Sequence, residues 1–266
     1  MKKFIVTTAA NLRDFTDCTY PQGSFYFSRL LKSGDIRVNG AKVRRNCPLN
    51  PGDEVVYYTT PKMESKPSHS VIYAGQSFTA VDKFSGVSTE ALALELGLLP
   101  VHRLDRNTSG VILFASDAAA QQKLFGLFRE RNISKEYIAV CKNAFARGEG
   151  DLTAYLRKDE ARSFVTVYDR PARGCEPIRT QYKVLEERGD IAMVSIILHT
   201  GKTHQIRAHM AHIGCPVLGD EKYGDESLNA LYGVKRQLLC AYRLSFSFDG
   251  EEFSFRSALA PSFPQR

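Results

Sequence analysis

Apolar residues recur along this chain mostly in short alternating or continuous runs, with few stretches at helical spacing. The uninterrupted run Val111-Ile112-Leu113-Phe114-Ala115 predicts a central strand covered on both faces. Residues 71–73, 78–81, 137–140, 163–168, 180–185, 192–198 and 243–248 read as further strands. Helical spacing shows in three places. Phe27, Leu30 and Leu31 fall at i, i+3 and i+4, with Gly34 as the stop. Leu124, Leu127 and Phe128 follow a Ser116-Asp117 cap and end near Asn132, while Ile206, Met210 and Ile213 follow Thr203 as N-cap and precede Gly214 and Pro216. Strands outnumber helices without regular βα alternation, so the predicted class is α+β around a large mixed sheet with flanking helices.

Turn chemistry adds a smaller unit at the start. After the first helix, Ile36-Arg37-Val38 alternates as a strand and Asn39-Gly40 is a strong hairpin signal. Asn50-Pro51-Gly52-Asp53 makes a second turn into Glu54-Val55-Val56-Tyr57-Tyr58. The polar, proline-bearing stretch 61–69 then reads as a linker, giving a module over 1–60 and a larger domain over 70–266. The module carries nine Lys/Arg against five Asp/Glu. Over residues 12–58 this order resembles the S4-type RNA-binding module, a small α/β unit. That resemblance implies phosphate contacts from Arg29, Lys32, Arg37, Lys42, Arg44 and Arg45. Without the ordered turns, a solvated charged face would be the better reading.

Composition narrows the class only modestly. Hydrophobic residues make up 43% and charged residues 24%, enough for a buried core and against wholesale disorder. A net charge of +7 favours an anionic partner such as nucleic acid. No apolar run approaches the roughly 20 residues of a membrane span, and Met1–Thr8 reads as a strand in place of a signal peptide, so a cytoplasmic monomer is expected. The six cysteines form no C-x-x-C pair and suit reduced, packed thiols.

The chemistry concentrates in His102-Arg103-Leu104-Asp105-Arg106-Asn107-Thr108-Ser109-Gly110. Here a carboxylate sits in a polar loop just ahead of the central strand, flanked by Arg103 and Arg106 and followed by the Thr108 hydroxyl. An isolated Asp–Arg pair would more often be structural. Extended through Ala115, however, the string closely resembles the signature of the RluA family of pseudouridine synthases. Gly201-Lys202-Thr203-His204-Gln205-Ile206-Arg207 resembles a second motif of that family, and Leu218-Gly219-Asp220-Glu221-Lys222-Tyr223-Gly224 resembles the family's next stretch of chain. A third, shorter match is Lys135-Glu136-Tyr137.

The resemblance implies a pseudouridine-synthase-type sheet, mixed and largely antiparallel. It also implies isomerisation of specific uridines in structured ribosomal or transfer RNA after base extrusion, with no cofactor. By it, Asp105 is the catalytic carboxylate, Arg207 holds it ionised and aimed, and Tyr137 stacks on the base. His102, Arg103, Arg106, Thr108, Lys135, Lys202, His204 and Gln205 are expected around the substrate. Three routes stay open for Asp105: attack on the sugar, attack on the base, or removal of a ribose proton. The chain departs from the family pattern at Phe84, where Lys83 is usually followed by proline, at Lys202 for arginine, and at Cys240 for histidine.

Other readings fit less well. Gly201-Lys202-Thr203 mimics the end of a P-loop, but Ile196 occupies the required glycine position. His204 lies about 140° around the helix from His209, so these histidines with His212 and Cys215 do not converge on a metal. The alternative from another class is a non-catalytic RNA-binding protein with a degenerate synthase domain; the intact Asp105, Tyr137 and Arg207 argue against it.

Overall fold

The computed structural model describes residues 1–159 and 164–265. Its first part is a four-stranded antiparallel sheet in the order Lys2–Ile5, Glu54–Tyr57, Ile36–Val38, Ala41–Val43. Helices α1 (Leu12–Thr19) and α2 (Pro21–Ser33) join it through Leu12, Phe15, Phe27 and Leu30, which form one buried core with Ile36, Val55 and Tyr57. Gly34 ends α2 at a left-handed φ of 74°, its N–H reaching the Leu30 and Leu31 carbonyls. Asn39 and Gly40 both have positive φ, as the tightest hairpin turn demands.

Helix α1 has no counterpart among the predicted elements; Asn11 caps it by accepting from the Asp14 N–H. The stretch 61–69 is folded against its neighbours. Thr60 caps a single turn, α3 (Pro61–Glu64), whose Met63 enters the same core, and Ser68 is buried with its hydroxyl on Glu95.

The second part is an eleven-stranded sheet. Its path runs Phe164–Tyr168, Glu149–Asp159, Glu176–Arg188, Ile191–Leu198, Ile133–Lys142, Leu239–Phe248, Ser109–Ala115, Phe78–Lys83, His69–Ala74, and off this path Glu251–Arg256 pairs with Leu239–Phe248 and Leu99–Pro100 with Ser109–Ala115. Of the run predicted over 163–168, Ser163 lies outside the described residues. The pairing of Ser109–Ala115 with Leu239–Phe248 is parallel and the other named pairings are antiparallel, which is the mixed, largely antiparallel sheet expected. Ser109–Ala115 lies within it, with Ile112 and Phe114 in one core cluster and Val111, Leu113 and Ala115 in the other. Both faces of the strand are therefore covered, and each large side chain there contributes about 1.5–3 kcal/mol by burial.

Helices α4 (Thr89–Leu96), α5 (Ala118–Arg129), α6 (Gln205–His212) and α7 (Glu226–Leu231) complete the chain. Leu92 of α4 and Ile206 and Met210 of α6 enter the first cluster, and Ala120 and Leu124 of α5 enter the second. Asp117 caps α5 as its position predicts.

Helix α6 starts differently from the expectation. Its cap is His204, in a left-handed conformation (φ 53°) without a side-chain cap bond, and not Thr203. The left-handed entry turns Thr203 out of capping geometry. The Gln205 amide oxygen instead accepts from the Thr200 hydroxyl and the Lys202 N–H.

Candidate active site

Asp105 sits on the loop between Leu99–Pro100 and Ser109–Ala115. The loop's end is fixed by Gly110, at φ 114°, where an added Cβ would come within 2.3 Å of the Ala241 carbonyl oxygen; only glycine fits. The loop closes with the Thr108 N–H on the Asp105 carbonyl, and the buried Thr108 hydroxyl accepts from Gln237 at 2.7 Å.

From α6, Arg207 Nη1 donates to Asp105 Oδ2 at 3.0 Å. The other edge of the same guanidinium is held bidentately by Asp220, Nε to Oδ2 at 2.6 Å and Nη2 to Oδ1 at 3.0 Å. Asp220 has no side-chain exposure and Arg207 only 6%, whereas Asp105 keeps 19%. One arginine thus braces a carboxylate that still faces open space. Burial works against the Arg207 charge, but the hydrogen bonds and charge of Asp220, with Asp105 behind, outweigh it and raise its pKa. For Asp220, burial is outweighed by Arg207 and by the Lys222 and Tyr223 N–H groups, which hold it below the usual carboxylate range.

Asp105 opens into a cavity of about 350 Å³, within the ordinary size range of ligand sites. Tyr137, Lys135, His102, Arg103, Thr108 and Lys202 line it, with His204, Gln205 and Arg207. Burial, then the charge of Asp105, pushes the Tyr137 phenol upward, so it stays neutral. Burial, then Arg131, pushes the Lys135 ammonium down. The His102 imidazole stacks on Phe128 at 4.5 Å, and its Nε2 accepts the Leu113 N–H at 3.0 Å. Burial and Lys135 take its pKa to about 3, so it is a neutral brace for the loop. His204 Nε2 stands 3.9 Å from Asp105, beyond hydrogen-bond reach, while its Nδ1 shares a bond with the Tyr223 hydroxyl. Burial lowers its pKa despite Asp105.

Not every expected neighbour of the substrate faces this cavity. Arg106 turns away from it, donating to Gly86 O and to Asp17 of α1. Gln205 lines the wall, but its amide is spent on Thr200, Lys202, Arg179 and Thr180. Lys202 pairs with Glu176 at 2.8 Å. In the N-terminal part, Arg29, Lys32, Lys42, Arg44 and Arg45 are exposed, and Arg44 donates to the Lys32 carbonyl, joining the end of α2 to the hairpin. Arg37 is half-buried over the Tyr58 ring.

Two residues gain a place that sequence reasoning did not give them. Asp220 stood only inside a matched string, and its partner lies 13 positions away across a turn. Lys83 is fully buried beneath the loop, its Nζ donating to Val87 O at 2.7 Å, Arg106 O at 3.1 Å and Phe84 O at 3.4 Å. Burial lowers its pKa to about 7, against the pull of Asp105. The departures from the family pattern also have settled places. The Phe84 N–H donates to Ser68 O at 2.9 Å, a bond proline lacks, and Cys240 is buried against the Ser257 hydroxyl. Among the described residues no cluster of His, Cys, Asp and Glu could hold a metal ion, and no helix is long and apolar enough to cross a membrane.

A sequence model described as RNA pseudouridylate synthase matches residues 63–212, more than half of the chain. Ribosomal large subunit pseudouridine synthase C of Vibrio cholerae serotype O1 is 28% identical, covering 84% of this chain and 80% of that protein. The protein of the same name from Escherichia coli (strain K12) is 29% identical, covering 86% and 82%. Among solved structures, Human RNA Pseudouridylate Synthase Domain Containing 1 superposes with a TM-score of 0.62 at 26% identity, over 71% of this chain and 82% of that one.

Proposed function

The chain belongs to the RNA pseudouridylate synthase family, and on that premise we propose that it isomerises uridines of large-subunit ribosomal RNA, with Asp105 as the acting carboxylate. Against a non-catalytic RNA-binding protein with a degenerate synthase domain stand Asp105, Tyr137 and Arg207, all present and lining one cavity. The ribosomal substrate is supported by the names of the bacterial relatives.

One observation carries the role of Asp105. Its carboxylate is aimed into the cavity by Arg207, and Arg207 cannot follow it because Asp220 holds the guanidinium from the other side. A group so fixed is pre-organised for chemistry at the cavity floor. The reaction breaks the bond between uracil N1 and the ribose and makes one from the same ribose carbon to C5. The C5 proton is lost and N1 gains one. No electrons are exchanged, so no redox partner is needed. Tyr137 offers its ring to the extruded base, and Lys135 and Arg103 stand at the cavity for backbone contacts. Residues 1–60 serve as an RNA-binding module beside the synthase part over 70–266. Arg29, Lys32, Lys42, Arg44 and Arg45 are exposed there for phosphates.

The test is a single-turnover assay on unmodified large-subunit ribosomal RNA transcript, with pseudouridines mapped afterwards. The wild-type chain should form pseudouridine, and Asp105→Ala should bind the transcript with similar affinity and form none. Turnover retained in Asp105→Ala would remove Asp105 from the chemistry. Turnover by the wild type on transfer RNA alone would move the substrate.

A further inference from the structure

Arg106 is joined by a peptide bond to the proposed catalytic residue, yet its side chain lies outside the cavity. Its Nη1 donates to Asp17 Oδ2 at 2.7 Å and its Nε to Gly86 O at 3.2 Å. Its carbonyl accepts from Lys83 Nζ at 3.1 Å and from the Gly86 N–H at 2.8 Å. None of the partners in these contacts, Asp17, Lys83 or Gly86, lines the cavity.

Asp17 is the end of that chain of contacts and belongs to α1, in the N-terminal part. Its Oδ2 also accepts from Arg13 Nε at 2.9 Å, and its Oδ1 from the Ser24 hydroxyl at 2.6 Å. Its main-chain carbonyl accepts from the Ser88 hydroxyl, which also caps α4. The Asp17 side chain is 15% exposed and Arg106 34%, so the pair is only partly screened by water. Burial disfavours the Arg106 charge and Asp17 opposes that effect most strongly.

We propose that Asp17 is a positioning residue for the reaction: through Arg106 it sets the direction of the Asp105 carboxylate, so that the N-terminal part takes part in catalysis and does not merely tether RNA. Rotation about the bonds between Asp105 and Arg106 is the freedom that would carry the carboxylate off Arg207. Anchoring the Arg106 side chain removes it. A displacement of about 1 Å in a reacting group can lower a rate by about a hundredfold, so loss of the anchor should show in the chemical step. The proposal rests on Asp105 being the acting carboxylate.

The experiment compares wild type, Asp17→Asn and Arg13→Ala in single-turnover pseudouridine formation at saturating ribosomal RNA transcript. Thermal melting and RNA affinity are measured alongside. Hydrogen–deuterium exchange of the peptide covering 102–110 is followed without RNA. Arg13→Ala removes an ion pair from the same carboxylate without touching the loop, and controls for mere weakening of α1. Asp17→Asn should lower the single-turnover rate by about 10- to 100-fold with RNA affinity within about twofold. It should speed exchange in 102–110, while Arg13→Ala leaves both rate and exchange near wild type.

A double-mutant cycle adds a second check. Arg106→Ala should be as slow as Asp17→Asn, and the double variant no slower than either. If Asp17→Asn is too unstable to assay, Arg106→Ala carries the exchange and rate tests alone. Unchanged exchange in 102–110 overturns the proposal whatever the fate of Asp105. Faster exchange with an unchanged rate overturns it too, leaving a purely structural pair. Exchange that responds as expected in a protein whose Asp105→Ala variant still turns over would instead count against the role of Asp105.

Discussion

Replacing Asp220 by asparagine tests the brace behind the site most directly. The change is nearly isosteric, so packing is kept while charge and two acceptor lone pairs are lost. Among the described residues the Asp220 carboxylate accepts four hydrogen bonds, two from Arg207 and one each from the Lys222 and Tyr223 N–H groups. The new amide would point N–H groups at donors on one of its two sides. Breaking a buried ion pair from one side costs about 3–5 kcal/mol. Arg207 keeps Asp105 as a counter-charge, so the lower end applies, about 3 kcal/mol, roughly a hundredfold in the folding equilibrium. With a urea dependence of about 3 kcal/mol per molar, the midpoint should fall by about 1 M.

The acid limb carries a second signature. Asp220 has its folded pKa below that of the unfolded chain. Its contribution is therefore complete above the unfolded carboxylate value of about 3.9, and is lost as pH falls through the lower folded value. The wild-type advantage over Asp220→Asn should shrink as the solution is taken below about pH 4. A midpoint within about 0.2 M of wild type, or an advantage independent of pH in that window, would refute the account of Arg207 as a guanidinium fixed by Asp220.

Two further outcomes concern the same loop. Lys83 has a folded pKa of about 7 against about 10.4 when unfolded. Between these values the unfolded chain binds more protons, so the burden of the buried ammonium is full below pH 7 and gone above pH 10.4. The stability of wild type relative to Lys83→Met should therefore rise with pH across 7–10 in thermal melts, and a flat difference would contradict it. Phe84→Pro restores the residue usual in the family yet deletes the N–H that donates to Ser68. It should lower stability by about 1 kcal/mol or more, and an unchanged melting temperature would mean the bond contributes nothing.

What could be read from the chain depended on how far apart the interacting residues lie. Gly34 as a stop, Asn39-Gly40 as a hairpin and Asp117 as a cap are local chemistry, and each stands where its sequence neighbours put it. The run 111–115 announced a doubly covered strand because all five residues are apolar. Helix α4 gave no such signal. Its buried Ala91, Leu92 and Ala93 stand beside Leu94, 64% exposed, so its apolar residues mark no single face. Glu149–Asp159, with five acidic or basic residues, hid its alternation among charges. Thr203 failed as a cap because the chain enters α6 through a left-handed residue, which composition does not reveal.

The site was legible only through matched strings. Asp105 and Arg207 are 102 positions apart, and no periodicity links them. The strings also could not say which way each side chain turns. Arg106, beside Asp105 in sequence, faces the other part of the molecule.

The seam between α1 and α4, with residues 61–69 folded in place, bears on how an RNA is chosen. Two binding surfaces joined by a slack tether can accommodate many separations, because the tether takes up the difference. Here the main-chain carbonyl of Asp17 is bonded to Ser88, and Met63 is sunk in the core of the N-terminal part, so there is little slack to take up. Any RNA that rests on the basic hairpin while offering a uridine to the cavity must carry those two features at one separation and one relative angle. On the proposed reading, in which the basic hairpin holds RNA, the molecule would work as a caliper on folded RNA. Helices that hold the right span would be admitted, and identical bases in a differently folded stretch would be passed over.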